Sequence, residues 1–220
     1  MLNIINIDSW DRKEHYQLFI NQSPCTFSLT AKINIDKLLK DVDKSIYKFY
    51  PVILFFISRV INNHQEFKMK YIDEEKIGFY DVIFPSHLVF HKDKEIYSDI
   101  WTEYDENIDK FMENYEYDIK KYKSNYELAP KGNKENSYNF SCLPWLHYEH
   151  INLNLVNDKK YFAPIITMGK YKKENQNIML PITMQVNHAV CDGFHVARFF
   201  NELQDLCDDF LEEKIDYEFI

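Results

Sequence analysis

The segment Asn177-Ile178-Met179-Leu180-Pro181-Ile182-Thr183-Met184-Gln185-Val186-Asn187-His188, followed by Ala189-Val190-Cys191-Asp192-Gly193 and a periodic stretch over residues 194–211, decides the fold. Its first part is apolar, contains β-branched residues and is long enough to cross a large sheet. Its last part places Ala197, Phe200, Leu203, Leu206, Cys207 and Phe210 on one stripe, the spacing of a helix face. Gly193 permits a tight turn between the two. A strand that runs straight into a helix can hold a side chain rigidly over a cleft, and the residue at that junction is His188.

Working outward from this segment, residues 25–33 alternate Phe27, Leu29, Ala31 and Ile33 against Thr26, Ser28, Thr30 and Lys32, the period of a half-buried strand. From Asp36, read as an N-cap, Leu38, Leu39, Val42, Ile46, Tyr47 and Phe49 predict a helix that Pro51 restarts or kinks. Residues 52–61 are apolar nearly all round and predict a buried helix. The short runs 67–72, 77–83, 88–91 and 95–100 are spaced like an antiparallel meander. A helix follows over 105–122, then a polar loop over 129–137, then strands at 138–142, 150–155 and 164–170. With no repeat and no Pro/Gly/Ser linker, residues 1–220 are expected to form a single domain of α+β class. Its expected core is a mixed or antiparallel sheet flanked by helices.

Composition narrows the function. Hydrophobic residues make up 45% of the 220 and charged residues 28%, which excludes disorder for most of the length. A net charge of −9 argues against nucleic acid as a partner. Seventeen Phe, sixteen Tyr and three Trp with only four Gly describe a stiff, aromatic-rich body without a glycine-rich phosphate cradle. Cys25, Cys142, Cys191 and Cys207 form no C-x-x-C pair, so they read as free cytoplasmic thiols rather than zinc ligands. The longest apolar run, 52–57, is far too short for a membrane span, and residues 1–10 carry no targeting signal.

His188 can be a neutral base near neutral pH, able to take a proton from an attacking alcohol or thiol. Asp192, four residues on, can cap the following helix or pair with an arginine. Other readings of the same residues stay open: a hydrogen-bonded core histidine, or a metal set of His188, Cys191, Asp192 and His195. Ser141 and Cys25 have no base beside them in sequence and fit core or turn equally well.

Five blocks taken together resemble the chloramphenicol acetyltransferase family, in that family's order. They are Trp10-Asp11-Arg12-Lys13-Glu14-His15, Tyr47-Lys48-Phe49-Tyr50-Pro51, Ser141-Cys142-Leu143-Pro144-Trp145, Tyr161-Phe162-Ala163-Pro164-Ile165-Ile166-Thr167-Met168, and residues 185–199 around His188. The resemblance implies a CoA-dependent acyltransferase fold and acetyl transfer from acetyl-CoA, a co-substrate rather than a tightly bound cofactor, to the C3 hydroxyl of chloramphenicol. On that reading His188 is the general base, Ser141 the oxyanion donor, and Arg12 and Asp192 a supporting ion pair. Leu18, Phe19, Cys25, Tyr97, Asn139, Ile151, Leu153 and Ile165 match the antibiotic site. Lys48, Tyr50, Trp145, Thr167, Lys170 and Tyr171 match the coenzyme A contacts. No metal is implied, and the family's homotrimers, with active sites between subunits, set the expected assembly. One position departs from the family, since Asn187 stands where a second histidine is usual. A related enzyme with another acceptor, or a drug-sequestering protein needing neither His188 nor Ser141, are the competing readings.

Overall fold

The structure is a computed structural model that describes residues 1–155 and 160–217. A small antiparallel sheet is built from β1 (Leu2–Ile5), β3 (Met69–Tyr71) and β4 (Ile77–Tyr80), in the order β1-β4-β3. The large sheet contains β2 (Thr26–Asn34), β5 (Phe84–His91), β6 (Ile96–Trp101), β7 (Ser137–Leu143), β8 (Ile165–Gly169), β9 (Lys172–Glu174) and β10 (Asn177–Asn187). Its order is β2-β10-β8-β7-β5-β6, with β9 also paired to β10. The β5–β7 and β7–β8 pairs are parallel and the others antiparallel, so the sheet is mixed. The helices are α1 (Lys13–Gln17), α2 (Asp36–Asp43), α3 (Phe49–Asn63), α4 (Ile108–Tyr122) and α5 (Gly193–Tyr217).

Side-chain alternation gives the large sheet two different faces. Leu180, Ile182, Met184 and Val186 of β10 join the main core, as do Ile166 and Met168 of β8 and Tyr138 and Phe140 of β7. That core contains α3, whose residues Val52, Ile53, Leu54 and Ile57 are fully buried, together with Phe199 and Leu203 of α5. Each such side chain contributes about 1.5–3 kcal/mol by leaving water. The opposite face carries Thr183, Gln185, Asn187, Ile165, Thr167, Asn139 and Ser141. Its buried polar groups are tied together, with Thr183 Oγ1 lying 2.7 Å from Thr30 Oγ1.

Several sequence expectations need correction. The helix expected from Asp36 through Phe49 is two helices, because residues 44–48 leave the helical path and α3 starts afresh at Phe49. Pro51 occupies the first turn of α3, where its missing N–H is no loss, and does not kink a continuing helix. Asp36 does not cap α2; its carboxylate accepts a hydrogen bond from the Ile178 N–H at 3.0 Å and ties α2 to β10. The expected meander is split between sheets: β3 and β4 pair antiparallel and β4 adds β1 on its other side, whereas β5 and β6 form an antiparallel hairpin whose inner strand pairs in parallel with β7. Residues 150–155 are not a strand. Side chains satisfy them instead: the Gln185 amide exchanges hydrogen bonds with Leu153 N (2.8 Å) and O (2.7 Å), and His150 meets Ser28 and Thr30.

Candidate active site

The end of β10 continues into a five-residue turn that is fastened at every step. The Asn187 carbonyl accepts from Val190 N (3.2 Å) and Cys191 N (3.1 Å), and its side-chain oxygen accepts from Ala189 N at 3.0 Å. The Asn187 amide nitrogen donates to the Tyr161 carbonyl at 3.2 Å. His188 N donates to the Cys25 carbonyl at 3.0 Å, pinning the turn to the segment before β2. The Asn187 side chain thus links the backbone just after His188 to the Tyr161 carbonyl.

The His188 ring is held as firmly as its backbone. After α1, residues Leu18–Gln22 form a π turn closed by Ser23 N to Leu18 O at 2.9 Å. Such turns recur at functional sites. This one lays Phe19 flat on the imidazole, with ring centroids 3.9 Å apart and planes 8° from parallel. Phe27 meets the same ring edge-on at 5.1 Å. Nδ1 is buried 3.3 Å from Asp192 Oδ1, facing the carboxylate without an aligned hydrogen bond among the described residues, while the side chain as a whole is 31% exposed. The carboxylate it faces favours a proton on Nδ1, which leaves the lone pair of the imidazole on Nε2.

Arg12 organises the turn from below. Its Nη1 donates to Asp192 Oδ2, and its Nη2 to Asp192 Oδ1 at 2.8 Å and to the His188 carbonyl at 3.2 Å. The guanidinium holds the Asp192 carboxyl below the ordinary carboxylate range against an opposing effect of burial. Asp192 N donates to His195 Nδ1 at 2.9 Å. Asp192 is therefore committed to Arg12, and the sequence-level metal set of His188, Cys191, Asp192 and His195 has no free carboxylate. A thiol nucleophile is disfavoured as well. Burial raises the pKa of Cys191 and raises that of Cys142 to about 11, and Cys25 is also shifted upward.

The remaining expected residues fall into groups. Leu18 and Phe19 lie in the π turn, and Cys25 beside the His188 backbone. Asn139, Ile165 and Gln185 stand in one row across the sheet; Leu153 is bonded to Gln185, Ile151 lies in the adjoining coil, and Asn139 Nδ2 donates to Tyr161 Oη at 2.6 Å. Tyr97 opposes Phe90, whose ring packs on Trp145 at 4.8 Å. Lys170, Tyr171 and Tyr50 border a cavity of about 350 Å³ together with Phe49, Cys142, Pro144, Met168 and Gly169. Trp145, Thr167 and Lys48 are chain neighbours of that lining. Tyr50 is not a free stacking surface, since its ring sits among Phe140, Tyr115 and His87 at 5.7–6.4 Å.

Ser141 does not meet His188 within one chain. It pairs with Thr167, Thr167 pairs with Thr183, and Thr183 lies five residues before His188. At about 3.3 Å per residue and 4.8 Å per strand, the two are roughly 19 Å apart. Sequence reasoning also passed over His147, Glu149 and Glu174, which the fold gathers elsewhere on the sheet. They escaped because 25 residues separate the last two and each alone reads as solvated surface.

A family model described as "Chloramphenicol acetyltransferase" matches residues 1–204. A chloramphenicol acetyltransferase of Clostridium perfringens is 43% identical over 94% of this chain and 95% of its own length. Chloramphenicol acetyltransferase 3 of Escherichia coli is 45% identical over 92% of this chain and 95% of its own. Among solved structures, a chloramphenicol acetyltransferase superposes with a TM-score of 0.87 at 20% identity, covering 94% of this chain and all of that one. A dihydrolipoamide acetyltransferase of Azotobacter vinelandii has a TM-score of 0.64 at 14% identity over 89% of this chain and 86% of its own.

Proposed function

Because the chain belongs to the chloramphenicol acetyltransferase family, we propose that it transfers the acetyl group of acetyl-CoA directly to the C3 hydroxyl of chloramphenicol and so confers resistance. Nε2 of His188 takes the hydroxyl proton as the oxygen attacks the thioester carbon. The tetrahedral oxyanion accepts a hydrogen bond from Ser141, where a preorganised donor acts most strongly. Collapse expels the coenzyme A thiolate, which takes the proton back from the imidazolium, so no acyl-enzyme forms. The observation that carries this reading is the clamped His188 turn, with Nδ1 against Asp192 and the ring stacked on Phe19.

The reaction needs two copies of the chain in this reading. With Ser141 and His188 about 19 Å apart in one chain, the base of one subunit works with the oxyanion donor of its neighbour in a homotrimer. The exposed apolar side chains of Phe90, Tyr97, Trp145 and Leu146, near the Ser141 end of the sheet, suit such a contact. The testing experiment follows thiol release from acetyl-CoA by the purified protein with and without chloramphenicol. Chloramphenicol-dependent release is the expected result. Intact drug binding without release removes the proposal in favour of a sequestering protein or another acceptor.

A further inference from the structure

Away from the site above, the connection after β7 and strand β9 bring His147, Glu149 and Glu174 together, with one ligand atom of each within 4.8 Å of the others. Nδ1 of His147 lies 2.9 Å from the Lys170 carbonyl. A carbonyl only accepts, so Nδ1 carries the ring proton and Nε2 presents a lone pair. Nε2 is buried and has no hydrogen-bond partner among the described residues, although Glu174 Oε1 stands 3.3 Å away and Glu149 Oε1 3.7 Å away. A lone pair facing two carboxylates is repulsive unless a cation lies between them.

Metal-binding histidines are oriented in the same way, with the far nitrogen donating to a carbonyl so that the near one is fixed for the ion. We propose that His147, Glu149 and Glu174 hold a divalent transition ion of the zinc class, with water completing the coordination. One imidazole and two carboxylates suit zinc, whereas calcium and magnesium favour all-oxygen shells of six or more ligands. The His147 side chain is 12% exposed and Glu174 28%, so these two form the fixed part of the site. Glu149, 72% exposed and paired with Lys32, closes the remaining distance by a side-chain rotation.

Lys32 is the resident competitor. Its Nζ lies 3.0 Å from Glu174 Oε1 and 3.2 Å from Glu149 Oε2, and Lys172 Nζ lies 3.3 Å from Glu174 Oε1. Lys32 sits at the end of a flexible stem and can swing away, but its ammonium weakens the site for any other cation. The ion, once bound, staples the connection after β7 to β9 and, through His147, to the Lys170 backbone.

Calorimetric titration of Zn²⁺ into the purified full chain tests this, with Mg²⁺ as the control ion. One equivalent of Zn²⁺ is expected to bind, with His147→Gln and Glu174→Gln each weakening it at least tenfold and Mg²⁺ giving no heat. Lys32→Met is expected to tighten binding at least threefold, a gain that a misfolded variant cannot produce. Zn²⁺ binding unchanged in His147→Gln overturns the proposal, because another group such as the exposed Cys25 then holds the ion. Absence of binding in the wild type also overturns it, whether or not the Lys32→Met chain binds.

Discussion

Replacing Arg12 by alanine is the sharpest structural test of the turn that carries His188. The guanidinium makes two charge-assisted bonds to Asp192 and a third contact to the His188 carbonyl. Removing one partner of a buried pair typically costs about 3–5 kcal/mol. Here the Arg12 side chain is 16% exposed but that of Asp192 is 32% exposed, so water recovers part of the loss and about 2–3 kcal/mol remains. At roughly 2–4 °C per kcal/mol for a domain of this size, the unfolding midpoint should fall by about 4–12 °C. Arg12→Lys should recover less than half of that, because an ammonium cannot reproduce the two-pronged contact. Because Arg12 holds the folded Asp192 pKa below its ordinary value of 3.8, the pair's contribution is fully present above that value. It is lost as pH falls through the lower folded value, so the wild type and Arg12→Ala should converge in acid. Thermal unfolding across pH measures all of this. A midpoint at neutral pH within about 1 °C of wild type, or a gap that widens in acid, refutes the reasoning.

His188→Ala should lower kcat by about 10²–10⁴ while chloramphenicol binding changes less than about tenfold, since a base acts in the transition state; near-normal kcat in the thiol-release assay removes the assignment. Ser141→Ala should lower kcat by about 10²–10³ with little change in Kd, and an equal loss in affinity makes Ser141 a ligand contact instead. Co-refolding equal amounts of the two inactive variants should restore about a quarter of wild-type sites, because each site then draws one intact residue from each of two chains. No recovery places both residues on one chain.

What the residues disclosed on their own was local. The long β10, the turn at Gly193, the stripe of α5 and the all-apolar α3 follow from periodicity, and the structure contains them with shifts of a few residues at their ends. Pairing partners were not legible. β3 and β4 pair with each other as neighbours along the chain do, but the third strand of their sheet is β1, whose four residues are too few to register as a pattern. The run 150–155 carries a strand-like composition, but its backbone partner is the Gln185 side chain, a long-range choice that no local pattern encodes. In the site, His188 was marked by its place at a strand end. The link between Arg12 and Asp192 spans 180 positions and reached the sequence reading only through the family resemblance. Phe19 was assigned to the antibiotic wall; its stacking on His188 depends on the π turn, which has no periodic signature.

Strand direction explains why the candidate machinery is divided. β10 is antiparallel to β8, and β8 is parallel to β7. The C-terminal end of β10, which carries His188, therefore points away from the C-terminal ends of β7 and β8. Those opposite ends carry Ser141 and the cavity bordered by Lys170 and Tyr171. No loop adjustment can reverse that relation, because β10 is locked by nine register pairs to β2 and by a further four to β8. A rigid sheet of this order can unite the two halves of the proposed site only by setting one end of it against the other end of a second copy. The stiffness that keeps them apart in one chain would then fix their geometry across the contact, since Ser141 stands on β7 and the His188 turn is fastened directly to the end of β10.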